Sequence, residues 1–189
     1  MPPIDITRGD GVRYDVVAIG NALVDVIAAV PDEFLVNEEV VKGSMTLVDA
    51  ERSAHLYSRI TKPTQTSGGS AANTAYGLAS LGGRAGFIGK ISADRLGESF
   101  AKDLANVGVK FFPGVTCQTE DTGRCLIVVT PDGNRTMNTF LGAASLLDAA
   151  DISREAVQSA AVVMLEGYLF DRDAAKEAFR VAAEYAHAA

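Results

Sequence analysis

A pair of adjacent glycines at a strand-to-helix junction constrains this chain more than any other stretch. Residues 67–73 read Ser-Gly-Gly-Ser-Ala-Ala-Asn, between an extended run and a helix of small residues. Without side chains, Gly68 and Gly69 let a ligand approach the main chain closely. The helix directs free N–H groups at the same place, and the Asn73 amide can both donate and accept. The pattern predicts either a tight packing turn or a small polar cup for hydroxyls or an anion.

Size and charge narrow the class of protein. With 189 residues, of which 48% are hydrophobic, the chain can bury a substantial core, so one globular α/β domain is expected. A formal net charge of −7 without a long run of Lys or Arg argues against a nucleic-acid partner. No apolar run approaches membrane-spanning length, and Met1 to Tyr14 is charged, unlike a signal-peptide core. We expect a cytoplasmic protein with no membrane partner.

The candidate metal ligands and thiols are few. Cys117 and Cys125 lie in neighbouring extended segments and lack metal-ligand partners at useful spacing. They are predicted to be reduced thiols, and no metal site is predicted in this chain. His55 falls inside a predicted helix and is expected at the surface rather than as a ligand.

Strands and helices alternate along most of the chain. Buried strands are predicted at Tyr14 to Gly20, Ala85 to Lys90 and Ala161 to Leu165. Helices are predicted after the capping residues Asp49 and Asp94, after Ser153, and again from Asp171 onward. This alternation predicts a parallel sheet with right-handed crossovers.

The first strand is followed almost at once by a second extended run. Only Asn21 and Ala22 separate it from Leu23 to Val30, which leaves no room for a crossover helix. The second run must therefore leave the sheet or fold over it. Asn21 and Asp25 then lie at a strand end, where open α/β sheets bind ligands. Asp25 interrupts an apolar run, so it either faces water at a strand edge or accepts hydrogen bonds from ligand hydroxyls.

The alternation of strands and helices is interrupted between residues 114 and 140. Here extended runs are joined by short turns without helices, at Val115 to Thr119, Gly123 to Thr130 and Arg135 to Phe140. The pattern predicts a local antiparallel sheet outside the parallel core. With residues 23–48 it would form a small lid inserted in a single domain that spans residues 1–189.

Five short motifs follow one another along the chain. They are residues 20–25 (Gly-Asn-Ala-Leu-Val-Asp), 68–73 (Gly-Gly-Ser-Ala-Ala-Asn), 81–90 (Leu-Gly-Gly followed by Phe-Ile-Gly-Lys), 94–97 (Asp-Arg-Leu-Gly) and 130–136 (Thr-Pro-Asp-Gly-Asn-Arg-Thr). In this order they resemble the N-terminal part of a kinase of the PfkB, or ribokinase-like, family, in its adenosine-kinase-like branch. The resemblance implies a three-layer αβα ribokinase-like core, incomplete here, with a β-sheet lid. Enzymes of this family move the ATP γ-phosphate to a primary hydroxyl of a sugar or nucleoside.

The resemblance also assigns substrate contacts. Asn21 and Asp25 would hold ribose hydroxyls. Gly68 and Gly69 would offer backbone contacts, and Asn73 would fix another hydroxyl.

Two further residues match functional positions of the family. Glu166, at the end of its strand, resembles the sugar-contacting Glu of ribokinases. Arg135 matches an arginine near the transferred phosphate, where a planar cation suits spread negative charge. The alternative for Arg135 is an ordinary arginine on the lid surface.

The catalytic part of the family pattern is missing from these residues. Phosphoryl transfer needs a base, cationic charge and a nest of N–H groups. In the family, the base and the nest come from a C-terminal Gly-Ala-Gly-Asp motif, which does not occur here, and no Walker A or GxGxxG sequence is present. The resemblance implies ATP and Mg²⁺ for the full-length enzyme. The nucleotide site, base and metal ligands are expected beyond Ala189, so this chain is predicted to hold the acceptor-substrate half and the lid and to be inactive alone.

Several functions stay open. Adenosine is the favoured acceptor, because of the spacing of Asn21 and Asp25 and the Asn134-Arg135-Thr136 stretch, with ribokinase- and fructokinase-type acceptors as alternatives. The chain could instead be a non-catalytic module that binds a nucleoside or sugar. A third reading is another doubly wound protein that shares only the Gly-rich turn. A homodimer through the lid or the exposed core surface also stays open.

Overall fold

The computed structural model describes residues 13–189 as two β-sheets with helices packed around them. Of the charged segment Met1 to Tyr14, only the last two residues are among those described. The strands are β1 Tyr14–Ile19, β2 Leu23–Ala29, β3 Met45–Leu47, β4 Thr64–Gly68, β5 Ala85–Gly89, β6 Lys110–Pro113, β7 Thr122–Val129, β8 Arg135–Gly142 and β9 Ala160–Leu165. The α-helices are α1 Asp32–Asn37, α2 Ala50–Arg59, α3 Ser70–Ser80, α4 Arg95–Asn106, α5 Arg154–Gln158 and α6 Asp173–His187.

The first sheet is the parallel core that the alternation predicts. Its strand order is β6-β5-β1-β9, and every neighbouring pair is parallel. Helices α3 and α4 pack on one face, and α5 and α6 on the other, so the core has three layers. Val17, Ala18 and Ile19 of β1 are fully buried, which explains the continuous apolar run of this strand. Phe87 lies 5.6 Å from the ring of Phe100 and anchors α4 to β5.

The second sheet is mixed rather than antiparallel. Its order is β3-β8-β7-β2-β4, with β2 parallel to β7 and β3 parallel to β8, while β2–β4 and β7–β8 are antiparallel. The predicted antiparallel pairing within residues 114–140 is confirmed for β7 and β8. The parallel pairing of these strands with β2 and β3 was not predicted, because an extended pattern does not encode the direction of the strand that pairs with it.

The membership of the second sheet also differs in detail from the predicted lid segments. Strand β4 belongs to this sheet, although the sequence indicated it only as the approach to the two glycines. Residues 115–119, all of them described, form no strand; Cys117 makes one isolated bridge, to Ser92. The short helix α1 was not predicted.

The predicted helix caps at Asp49 and Asp94 are confirmed, and Ser153 also caps the helix that follows it. The carboxylate of Asp49 accepts from the N–H of Arg52 at 2.7 Å, and Ser153 Oγ accepts from the N–H of Ala156 at 3.2 Å. Asp94 accepts from the N–H of Gly97 with one oxygen and of Thr122 with the other, each at 2.7 Å. This second bond ties the start of α4 to the start of β7.

The predictions for the thiols and His55 also hold. Cys117 and Cys125 are both free and buried. His55 is half-exposed on α2, where its Nε2 lies 2.7 Å from a carboxylate oxygen of Glu38. Among the residues described, no helix is long and apolar enough to cross a membrane.

Candidate functional site

A cavity of about 430 Å³ lies between the carboxyl ends of β1 and β9 and the open face of the second sheet. At its polar end it is lined by Asn21, Asp25, Gly69, Ser70 and Glu166. The rest of the lining is mainly apolar. A neighbouring cavity of about 440 Å³, beside α2 and the end of β8, is lined by none of the predicted site residues. The first cavity is therefore the candidate site.

The turn between β1 and β2 brings Asn21 into this cavity. Asn21 is only 4% exposed, and its backbone N–H and its Nδ2 both donate to Oε2 of Glu166, at 2.6 and 2.8 Å. Its Oδ1 is buried and has no hydrogen-bond partner among residues 13–189. A buried acceptor without a donor is costly, so Oδ1 is a position where a ligand donor would be favourable.

Glu166 directly follows β9 and is 3% exposed. Its other oxygen, Oε1, accepts from the Ser70 hydroxyl and from the N–H of Ala71 at 3.1 Å. The carboxylate therefore sits at the N-terminus of α3, where the helix dipole stabilises negative charge. Gly20 makes room for it, since a Cβ there would lie 2.9 Å from Oε2 and 2.5 Å from the Ala71 Cβ. Glu166 thus joins the ends of two strands to the start of a helix.

Asp25 is half-buried on β2, and its surroundings differ from those of Glu166. Its carboxylate lies against Gly68, where a Cβ would approach Oδ1 to 2.3 Å. Within the described part of the chain, the carboxylate has no hydrogen-bond or ion-pair partner. Burial raises the pKa of Asp25 above its ordinary value. A carboxylate in this state gains from hydroxyl donors that a ligand brings.

Each of the two glycines is required by a different close contact. Gly68 leaves space for the carboxylate of Asp25, as described above. Gly69 has a φ of +93°, and a Cβ on it would lie 2.2 Å from the carbonyl oxygen of Asn21. The Gly-Gly pair is thus a tight turn, and its second glycine, Gly69, also lines the cavity. Before it, the N–H of Ser67 donates to the carboxylate of Asp103 on α4 at 2.9 Å, which fixes the end of β4.

Three of the predicted site residues, Gly68, Asn73 and Arg135, do not line the cavity. Asn73 is exposed in the first turn of α3, and its N–H donates to the carbonyl of Gly69 at 2.9 Å. Arg135 is exposed at the start of β8, and its side chain makes no polar contact with any described residue. It shares a sheet face with Thr139, which lines the cavity, but lies four residues away, about 13 Å along the strand. The roles of these residues stay predictions.

The apolar wall was not found by sequence reasoning. Leu23, Met45, Leu47 and Met137 line the cavity from the second sheet, and Tyr168 lines it from the other side. Tyr168 is 77% exposed, so the wall is open to solvent. The period-2 alternation of β8 could have indicated Met137, but the pairing of β3 with β8 cannot be read from the sequence.

Cys125 is also a cavity residue that the sequence did not mark. It pairs with Asp25 on one side and Thr139 on the other, so the three side chains share a row across the sheet. The Thr139 hydroxyl donates to Cys125 Sγ at 3.2 Å, and burial raises the pKa of the thiol. Cys125 therefore contributes a neutral, weakly polar surface beside the Asp25 carboxylate.

The described residues do not fit a metal centre. In residues 13–189, no group of three or more His, Cys, Asp or Glu side chains is placed to hold a metal ion. No residue of this part of the chain is therefore assigned to Mg²⁺.

Comparison with known proteins identifies related chains. The model of the pfkB family of carbohydrate kinases matches residues 14–189. The adenosine kinase of Saccharomyces cerevisiae is 28% identical over 162 residues, a match that covers 80% of this chain and 47% of the yeast protein. The 5-dehydro-2-deoxygluconokinase of Lacticaseibacillus casei is 28% identical over 172 residues, covering 88% of this chain and 45% of that protein.

Solved structures give the same result at higher identity. The adenosine kinase of Sinorhizobium meliloti superposes with a TM-score of 0.83 at 47% identity, covering 93% of this chain and 54% of that one. A Rhizobium etli protein described as a probable sugar kinase superposes with a TM-score of 0.84 at 43% identity, covering 94% and 54%. The predicted ribokinase-like fold class is confirmed. The chain spans about half the length of these relatives.

Proposed function

Since the chain belongs to the pfkB family of carbohydrate kinases, in its adenosine-kinase-like branch, we propose that the full-length protein is an ATP-dependent phosphotransferase. Its acceptor is the primary hydroxyl of a nucleoside or sugar. The residues described here carry the acceptor site and the lid.

The division of the cavity into a polar end and an apolar wall carries the choice of acceptor. Asp25 and Asn21 Oδ1 offer acceptors to ribose hydroxyls, while Met45, Leu47 and Tyr168 offer apolar surface for a base. A simple sugar would leave that wall in contact with water, because it has no flat apolar face of comparable size. Adenosine is therefore favoured over ribose or fructose, in keeping with the 47% identity to the Sinorhizobium meliloti adenosine kinase.

Most of the predicted site residues would act on the ligand in this proposal. Asp25 accepts from the ribose hydroxyls, with Gly68 and Gly69 allowing the ligand to approach the backbone. Asn73 would bind a further hydroxyl only if the ligand extends to the exposed first turn of α3. Arg135, on the sheet face that carries the cavity, would bind the transferred phosphate when the lid and the nucleotide come together.

ATP and Mg²⁺ supply the phosphoryl group and its charge compensation in the proposed reaction. We assign the nucleotide site and the catalytic base to sequence outside these residues, because the family base motif does not occur in them. The 189-residue chain is therefore expected to bind the acceptor without turning it over. A cytoplasmic location and a homodimer through the lid or the exposed core surface remain predictions.

Calorimetry on the 189-residue chain tests the acceptor site. Adenosine should bind saturably without ATP, and more tightly than ribose or fructose. Asp25→Ala should weaken it by about a hundredfold, the loss expected for one or two charge-assisted hydrogen bonds. Asp173→Ala, which removes a fully exposed carboxylate of α6, is the matched control and should bind as the wild type does. No heat with any of these ligands would contradict the proposal.

A phosphorylation assay separates this proposal from a non-catalytic binding module. These residues form a cavity with polar and apolar lining but lack the family base motif. This combination also fits a module that binds a ligand without catalysing a reaction. With ATP, Mg²⁺ and adenosine, the 189 residues should show no transfer, whereas a chain of the relatives' full length should. Turnover by the 189 residues that Asp25→Ala abolishes would contradict the predicted inactivity. No turnover by the longer chain, despite binding, would favour the module.

A further inference from the structure

Four donors surround the carboxylate of Glu166. They are the backbone N–H and Nδ2 of Asn21, the hydroxyl of Ser70 and the N–H of Ala71. Each carboxylate oxygen accepts two of them. An ionised carboxylate has about four lone-pair sites, so these bonds use its capacity. Glu166, although it lines the cavity, has little left with which to bind a ligand directly.

The same bonds fix the orientation of the Asn21 amide. An ionised carboxylate only accepts hydrogen bonds, so the NH₂ group of Asn21 must face Glu166 and the carbonyl must face away. The structure has this arrangement, with Nδ2 2.8 Å from Oε2 and with Oδ1 buried and without a partner among the described residues. Asn21 thus keeps an acceptor, and not a donor, for the ligand.

Asp25 adds a second acceptor at the same end of the cavity. Its carboxylate is half-buried and receives no hydrogen bond from the described residues, and Gly68 lets it lie close to the turn. The N-terminus of α3, which would otherwise attract an anion, already holds the Glu166 carboxylate through the N–H of Ala71. Both the free acceptors and the charge at this end therefore disfavour a second anion.

We propose that Glu166 is a positioning residue that makes the polar end of the cavity a surface of hydrogen-bond acceptors. This inference rests on the proposed function, in which a riboside occupies the cavity. The surface selects a neutral ligand with two neighbouring hydroxyl donors. It rejects a ligand with a phosphate, or with a group that only accepts, at the same place. This assignment replaces direct contact of Glu166 with the substrate.

The orientation of Asn21 can be tested without any ligand, by hydrogen exchange followed by NMR on the 189-residue chain. In the wild type, the Asn21 Nδ2 protons and the Ala71 N–H should exchange slowly. In Glu166→Gln the new NH₂ group faces one of the two donor pairs, so at least one of these signals should exchange about tenfold faster or more. Glu177→Gln, an exposed change on α6, is the matched control and should alter neither. Unchanged exchange of both signals in Glu166→Gln at equal global stability would overturn the assignment.

Ligand selectivity, measured as a ratio of Kd values, would not change in a Glu166 variant if Glu166 had only a structural role. The ligands are adenosine, its 2′-deoxy-2′-fluoro and 3′-deoxy-3′-fluoro analogues, and adenosine 3′-monophosphate, with Kd measured by calorimetry. The wild type should prefer adenosine over at least one fluoro analogue and over the phosphate by about tenfold or more. In Glu166→Gln both preferences should fall by about threefold or more, and Glu177→Gln should keep them.

The outcomes separate the two proposals. If Glu166→Gln weakens all four ligands by the same factor, Glu166 only supports the fold or contacts a feature that the ligands share, and the selectivity assignment is overturned. If the wild type binds none of them, the proposed function fails and the selectivity fails with it. The hydrogen-exchange result then still decides whether Glu166 orients Asn21.

Discussion

Two carboxylates line the same cavity in opposite states. Glu166, at the end of the first sheet, is 3% exposed and receives four hydrogen bonds. Asp25, on the second sheet, is half-buried and receives none from the described residues, and its pKa is raised by burial. A satisfied carboxylate holds segments of the chain together, whereas an unsatisfied one reserves its acceptors for a ligand at some cost to stability. Variants at these two carboxylates, at the turn between the sheets and at a charged residue of the second sheet test this difference.

The largest effect is expected where the satisfied carboxylate is removed. Glu166→Ala leaves four donors around an empty space and should lower the free energy of unfolding by about 3–5 kcal/mol. Urea denaturation followed by circular dichroism measures it. A loss below about 1 kcal/mol would mean that water replaces the carboxylate and that the two carboxylates differ less than their contacts indicate.

The next effect concerns the turn that joins the two regions. Gly69→Ala meets both an unfavourable φ and the Asn21 carbonyl oxygen, and should cost about 3 kcal/mol. Gly82 is a matched control, because its φ of +88° is similar but a Cβ there would meet nothing within 4 Å. Gly82→Ala should therefore cost only about 1 kcal/mol. Equal losses in the two variants would show that the contact with Asn21 contributes nothing.

The third test concerns Arg124, a charged residue of the second sheet whose side chain has both a hydrogen-bond partner and aromatic contacts. The Arg124 guanidinium lies 5.7 Å from the ring centre of Tyr57 and 5.8 Å from that of Phe140, and its Nε donates to Ser53 Oγ at 2.7 Å. Arg124→Met should cost about 1–2 kcal/mol in the free energy of unfolding, because these contacts join α2 to the sheet. Arg180→Met, at an exposed arginine of α6, should change it by less than about 0.5 kcal/mol.

The smallest effect should have the opposite sign. Asp25→Asn removes a charge that burial disfavours, so it should raise the melting temperature slightly at pH 7 while it weakens riboside binding. Because the folded pKa of Asp25 is raised, the wild type loses stability as pH rises through that pKa. The difference in melting temperature should therefore shrink as pH falls through the raised pKa of folded Asp25, and it should vanish below about 3.9, the ordinary pKa of an aspartate, where both side chains are neutral. A variant less stable than the wild type at pH 7 would show that the Asp25 carboxylate is already satisfied.

Much of the polar end of the site was predictable from the sequence. Asn21 and Glu166 each follow a strand of the first sheet, and parallel strands bring their carboxyl ends to one edge of the sheet. The prediction that the strand before Glu166 is buried is wrong, because β9 is an edge strand and none of its residues is buried. Asp25 could be found because it interrupts an apolar run, and the two glycines because they precede a helix. These signals are local in the sequence, and they could be used because strand ends in a parallel sheet meet at a known edge.

The remainder depends on contacts between distant parts of the chain. Ser70 and Ala71 meet Glu166 across 96 and 95 residues, and no local pattern links them. Likewise, the strand directions in the second sheet are set by how β2 and β3 pack, so the apolar wall with Met45 and Met137 could not be derived. The interpretation of Glu166 as a sugar contact came from the resemblance to ribokinases, without knowledge of the donors around it, and it stays a prediction.

The contact between Gly69 and Asn21 has a consequence for motion. In residues 13–189 the chain crosses between the two sheets four times, first at Asn21 and Ala22 and next at Gly69. These two crossings touch each other, and Asn21 is also bonded to Glu166. A swing of one sheet against the other would therefore turn the same peptide groups that face the ligand. Closing of the lid and tightening on the ligand would then share one rate constant, and relaxation measurements would record a single process rather than two.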